Sequence, residues 1–166
     1  MDTTIVDRLL EVLENEEELY RHLKDISDKK TKVIVEGKVS ELESIIKLEQ
    51  SLVVKIGKLE NKREELVNLL SEELDIKPGN LTISELVKRL GQKQASKLKS
   101  CQDIMINTLN DLKNTNGLNS RLIKNSLEYI DFSINLIAAA GSLDNNYENS
   151  GNVSNSKKRN IIDARL

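Results

Sequence analysis

IVDRLLEVLENEEELYRHLKDISDKKTKV, residues 5–33, carries the pattern that decides the fold. Ile5, Leu9, Val12, Glu16, Leu19, Leu23, Ile26, Lys30 and Val33 advance by alternating steps of four and three. That is the a/d spacing of a helix laid against another helix, with polar entries at Glu16 and Lys30. Leu10, Leu13 and Tyr20 widen the stripe, as contact with more than one neighbour requires. The spacing predicts one helix over 3–36, about 50 Å long at 1.5 Å per residue. Gly37 supplies the left-handed residue that ends it.

Downstream the same period returns. Ser40 and Glu43 have the spacing of a capping box. Leu42, Ile45, Glu49, Leu52, Ile56, Leu59, Arg63, Leu66 and Leu70 then form a second seam. Lys77-Pro78-Gly79 is expected to stop it, because the residue before proline is pushed out of the helical region. A short connection between two long helices makes them antiparallel neighbours. Thr82 and Glu85 form another capping-box pair, opening a short helix that should end near Gly91.

The third long segment runs from about 93 to 140. Its inward positions are expected at Leu98, Cys101, Met105, Leu112, Asn116, Asn119, Ile123, Ile130, Ile134 and Ile137. Gly117 interrupts it at a cost of roughly 1 kcal/mol relative to alanine. The phase agrees on both sides, which favours one continuous helix. The fold class predicted is therefore all-α: an elongated antiparallel bundle of three long helices plus a short one over 1–140. A flexible tail over 141–166 follows, rich in Asn and Ser and recovering apolar character only at its last residues.

Composition narrows the function. The chain has 166 residues with 31% charged and a net charge of −2, one Cys, one Pro and no Trp. A single cysteine forms no intramolecular disulfide and no cysteine-based metal site. The mixed charge gives no drive toward nucleic acid. The first two long helices hold more acid than base and residues 82–141 more base than acid, a weak attraction between packed surfaces. No secretory signal pattern opens the chain, and no apolar run approaches the ~18 residues of a membrane span. A soluble, cytoplasmic protein without direct membrane insertion is expected.

Several stretches resemble the FlgN-type flagellar export chaperones. In the first helix and turn these are Leu19-Tyr20, Leu23, Lys29-Lys30, Val35-Glu36-Gly37 and Leu42. The second helix adds Glu49-Gln50, Leu59-Glu60 and Arg63-Glu64-Glu65-Leu66. The third has Asn116 and Asn119, then Leu122-Ile123, Ser126-Leu127 and Tyr129-Ile130, and the tail has Tyr147 to Gly151 and Ile162-Asp163-Ala164. The resemblance implies a small, acidic, helical chaperone of type III flagellar export. It also implies the clients: the disordered, helix-prone ends of hook-associated proteins of the hook–filament junction. These are kept soluble and monomeric, and are delivered to the export gate protein FlhA.

The residues themselves suit a binding role better than a catalytic one. Glu18 and His22 share a helix face as a metal pair would, but the chain has no second histidine. No phosphate-binding loop or nucleophile triad is present, so neither an enzyme nor a cofactor is expected. Cys101 sits at a seam position, where an inert buried thiol is the default. Lys157-Lys158-Arg159 is too short a basic run to indicate nucleic acid. Asn116 and Asn119 read first as residues that set helix register or cap a kink, and second as features steering a client helix. Glu16, Lys30, Glu49 and Arg63 read as register-setting residues whose partners the spacing does not assign.

Near the end of the third helix, Tyr129 and Phe132 are out of phase with Ile130. They either form an exposed binding surface or pack on the short helix. Leu127, Tyr129, Ile130, Phe132, Ile134 and Ile137 are the expected client surface, with Tyr147, Ile161, Ile162 and Leu166 assisting in client capture or gate docking. The rival reading is a self-associating coiled-coil scaffold or adaptor without a secreted client. A carboxylate di-metal enzyme is a distant third.

Overall fold

The computed structural model describes residues 3–77 and 79–144, with side chains described over 4–77 and 79–140. Four helices follow in order: α1 (Thr3–Val35), α2 (Val39–Glu73), α3 (Ile83–Val87) and α4 (Gln92–Asp144). No strand occurs among the described residues. The chain divides into two units, Met1–Ser126 and Leu127–Leu166.

In the first unit, the polar contacts between helices define their directions. As the α1 partner retreats from Lys30 to Glu16, the α2 partner advances from Glu49 to Arg63, so α1 and α2 are antiparallel. Against α4 the partners advance together: Asp7 with Gln94, Ser27 with Asn116 and Thr31 with Asn119, always 87–89 residues apart. The first and last long helices are therefore parallel, each antiparallel to α2, as an up-down-up bundle demands. α4 is unbroken through Gly117, whose missing side chain would meet nothing within 4 Å.

Two clusters hold the bundle. The larger joins Val6, Leu9 and Leu13 of α1 to Leu66 and Leu70 of α2, with Leu86 of α3 and Leu98 and Cys101 of α4. A smaller one joins Leu23, Ile56 and Leu112, one residue from each long helix. A fully buried leucine contributes roughly 2–3 kcal/mol. The α1 stripe is broader than a coiled-coil seam, because Val6 and Ser27 are fully buried alongside it. A helix that faces both α2 and α4 needs that width.

The helix ends differ from expectation in an instructive way. Gly37, at φ 68°, closes α1 in a Schellman turn: Lys38 N–H donates to Val33 O and Gly37 N–H to Ile34 O, both at 3.1 Å. This turn is so tight that α2 begins at Val39, and Ser40 lies inside it rather than capping it; the Ser40–Glu43 capping box does not form. α2 also stops before the proline. Asp75 takes φ 53°, and Ile76 N–H donates to Ser71 O while Asp75 N–H donates to Glu72 O, a second Schellman turn. The local left-handed residue ends the helix at Glu73. At α3, Thr82 Oγ1 accepts from Glu85 N–H at 3.2 Å, as expected, while the Glu85 carboxylate bonds to Lys88. α3 itself ends at Val87, short of Gly91.

The two turns make a paired prediction. Gly37→Ala forces a Cβ into the left-handed region and should cost about 1 kcal/mol, whereas Asp75→Gly relieves one and should stabilise by about 0.5–1 kcal/mol. Urea denaturation of the two variants checks both signs.

Candidate partner-binding surface

Polar residues placed on an apolar seam either serve a partner or serve the fold, and their hydrogen bonds decide which. Asn119 is 2% exposed. Its Nδ2 donates to Ser27 O at 2.9 Å, and its Oδ1 accepts from Thr31 Oγ1 at 2.7 Å. Asn116 Oδ1 accepts from Ser27 Oγ at 2.7 Å. Both asparagines thus pin α1 to α4 at one register, and the structural reading of the pair holds. A one-turn slip would leave Asn119 and Ser27 buried without partners, whereas Asn116, expected inward from its spacing, is exposed and bonds to Ser27 from the rim of the seam.

Lys30 and Glu49 close on each other at 2.7 Å, both largely covered, and fix α1 against α2. Glu16 is the less settled member. It is 1% exposed, its Oε1 has no hydrogen-bond partner, and Arg63 Nε stands 3.8 Å from its Oε2. Arg63 instead donates through both Nε and Nη2 to the Glu60 carboxylate. Burial pushes the Glu16 carboxyl up to about 7; Arg63 opposes this and Glu60 adds to it. Cys101 is buried, and burial followed by nearby Glu17, Glu14 and Glu16 raises its thiol above the ordinary value. His22 is exposed.

The inward pattern expected along α4 stops after Asn119. Leu98, Cys101 and Leu112 are buried, but Ile123, Ile130, Ile134 and Ile137 are exposed despite sharing their phase. The register explains where the change falls within the first unit. A constant separation of 87–89 residues sets Val35, the last residue of α1, level with about residue 123.

In the second unit, Leu127, Tyr129, Ile130, Phe132, Ile134, Leu136 and Ile137 are all 45–72% exposed. Tyr129 and Phe132 are exposed, and in the first unit α3 puts Leu86, Ile83 and Val87 on the larger core cluster. At 3.6 residues per turn the apolar residues fall into two stripes. Leu127, Ile130, Ile134 and Ile137 form an aliphatic one with a/d spacing. Tyr129, Phe132 and Leu136 form an aromatic-rich one on the other side. Glu128, Asp131 and Asn135 occupy a narrow polar sector on one side, and Ser133 separates the stripes on the other.

Apolar side chains therefore cover roughly two-thirds of this helix's circumference, a distribution normally found in helices covered on several sides. Leu136 was not among the expected surface residues, although its spacing of four from Phe132 and seven from Tyr129 carries the signal. Tyr147, Ile161, Ile162 and Leu166 lie outside the described residues.

Among the described residues no group of three or more His, Cys, Asp or Glu side chains is placed to hold a metal ion. No described helix is long and apolar enough to cross a membrane. Fold and surface together define a helical-bundle protein with internally satisfied register pins and an uncovered apolar helix face. The FlgN protein family matches residues 1–155, and the chain belongs to that family of flagellar export chaperones, which is not a family of enzymes. The chain is also similar to the uncharacterized protein YvyG of Bacillus subtilis (strain 168), 27% identical over 119 residues, 72% of each chain. No solved structure matches.

Proposed function

We propose that this chain is the cytoplasmic chaperone that binds the disordered, helix-prone ends of hook-associated proteins, holds them monomeric and delivers them to the export gate protein FlhA. Family membership supports the general role. The observation that carries the finer reading is the exposed double stripe on α4 between Leu127 and Ile137. An amphipathic client helix has an apolar face that would self-associate. Laid on Leu127, Tyr129, Ile130, Phe132, Ile134 and Ile137, that face leaves water together with the chaperone's own. Because the client orders on binding, entropy offsets part of the gain and keeps the complex reversible, as handover requires. Tyr147, Ile161, Ile162 and Leu166, in the tail beyond the helix, add capture or gate contacts.

Titration of Ile130→Asp/Phe132→Asp with a purified hook-associated protein tests the surface. Affinity should fall at least about tenfold, since each exposed apolar contact replaced by a charge is worth over 1 kcal/mol in a buried interface. The melting temperature should stay within a degree or two, because neither side chain belongs to the clusters that hold the bundle. Unchanged binding would move the client elsewhere.

The a/d spacing of the aliphatic stripe also suits a second copy of the chain, which is the scaffold reading. Sedimentation separates the two. A chaperone stays monomeric, or weakly self-associating, until a client displaces its neighbour, whereas a scaffold is a stable oligomer that no client dissolves.

A further inference from the structure

The aliphatic stripe of the second unit has a candidate occupant within its own chain. We infer that residues 157–166 dock in cis on the Leu127, Ile130, Ile134 and Ile137 stripe of α4, bringing Ile161, Ile162 and Leu166 against it. Three observations carry this.

The first is that the stripe is apolar, uncovered and of the width one short segment covers. Residues 157–166 hold three large aliphatic side chains, two of them, Ile162 and Leu166, spaced for one helix face.

The second is charge. Residues 125–144 contain Glu128, Asp131 and Asp144 and no basic residue. Residues 157–166 contain Lys157, Lys158, Arg159 and Arg165 against Asp163 alone. At 3.6 residues per turn Asp131 lies beside Leu127 and Ile134, on the edge of the stripe, where a basic run crossing it finds its counter-charge.

The third is reach. The intervening residues 145–156 extend to about 40 Å at ~3.3 Å per residue, and the way back along α4 from Asp144 to Leu127 is only about 26 Å at 1.5 Å per residue. Tethering on that scale gives an effective concentration of ~mM, so even a weak contact is substantially populated.

The consequence rests on the chaperone reading: a client helix seated on the same stripe must displace the segment, so an empty chaperone shields its own apolar surface and a loaded one releases residues 157–166. The aromatic stripe of Tyr129, Phe132 and Leu136 stays open throughout as the place where a client first lands.

The docking itself is tested without any client, so it stands or falls separately from that reading. A nitroxide is attached at Asn160→Cys in the Cys101→Ala chain, and amide signals of residues 127–140 are recorded before and after reduction of the label. The amides of unit Met1–Ser126 report that the protein is folded. In-cis docking should cost the 127–140 signals at least about half their intensity in the oxidised state, as population at ~mM effective concentration implies. Adding Ile161→Asp and Ile162→Asp should restore them. No intensity loss would overturn the inference. So would a loss that transfers fully to unlabelled, isotope-enriched chains mixed with labelled ones, because the occupant would then be a second copy.

Discussion

Leu98→Ala is expected to destabilise the protein by about 3–4 kcal/mol, and Leu136→Ala by less than about 0.5 kcal/mol. The two leucines lie on the same helix, so the helix-propensity difference between leucine and alanine cancels in the comparison. What differs is surroundings. Leu98 is 0% exposed in the cluster that joins all four helices, and its removal leaves a cavity between rigid neighbours. Leu136 is 60% exposed, so truncating it removes surface that water already touches. Urea denaturation followed by circular dichroism measures both. A loss above about 1.5 kcal/mol at Leu136 would mean that the monomer itself covers the aromatic stripe, and would remove that stripe as a landing surface. Partner binding should show the reverse order, with Leu136→Ala the damaging change among variants that remain folded.

The second large effect concerns pH. Most carboxylates here that are shifted at all are shifted downward by exposed lysine partners, as at Glu36 and Glu85. Such exposed pairs are screened and contribute little. Glu16 goes the other way. Its folded-state value is about 7 against 4.5 for the free side chain. Between those values the folded protein keeps a proton that the unfolded chain has released. Stability from this group is therefore fully present below about pH 4.5, falls as pH rises, and is lost by about pH 7.

At 1.36 kcal/mol per pH unit the loss is about 3 kcal/mol. Glu16→Gln keeps the shape and removes the charge, so its stability should be flat across this window. It should exceed the wild type by about 3 kcal/mol at pH 8 while matching it near pH 4. Arg63 is not stranded by the change, because Glu60 already holds it through two nitrogens. Equal slopes for wild type and Glu16→Gln would show that the buried carboxylate is satisfied by a group other than Arg63.

The buried acid also bears on why a seam carries polar residues at all. Lys30–Glu49 and the Ser27, Thr31, Asn116 and Asn119 set each pair residues across different helices, and each is satisfied in only one register. A bundle held only by leucines could slide by a turn at small cost. These contacts make such a slip expensive, since it strands buried donors and acceptors. The aliphatic seam supplies adhesion, and the polar positions supply alignment.

Much of this was legible from spacing alone. The a/d periodicity from Ile5 to Val33 determined a long helix, its repetition determined two more, and Gly37 and Thr82 marked a turn and a start in the right places. The Asn116 and Asn119 pair stood out because an amide on an apolar stripe needs a buried partner. Periodicity, however, reports which side of a helix is apolar with respect to that helix's own axis. It does not report where a neighbouring helix ends. Ile123, Ile130, Ile134 and Ile137 keep the phase of the buried residues before them, yet they are exposed. Within the first unit, only the register between α1 and α4, set by long-range hydrogen bonds, placed the end of α1 level with Ile123. The partners of Glu16 and Lys30, the burial of Ser27 and the stop at Asp75 depend on contacts or backbone angles that residue spacing does not encode. Local chemistry determined the helices and their greasy sides; tertiary alignment alone decided which of those sides stay open.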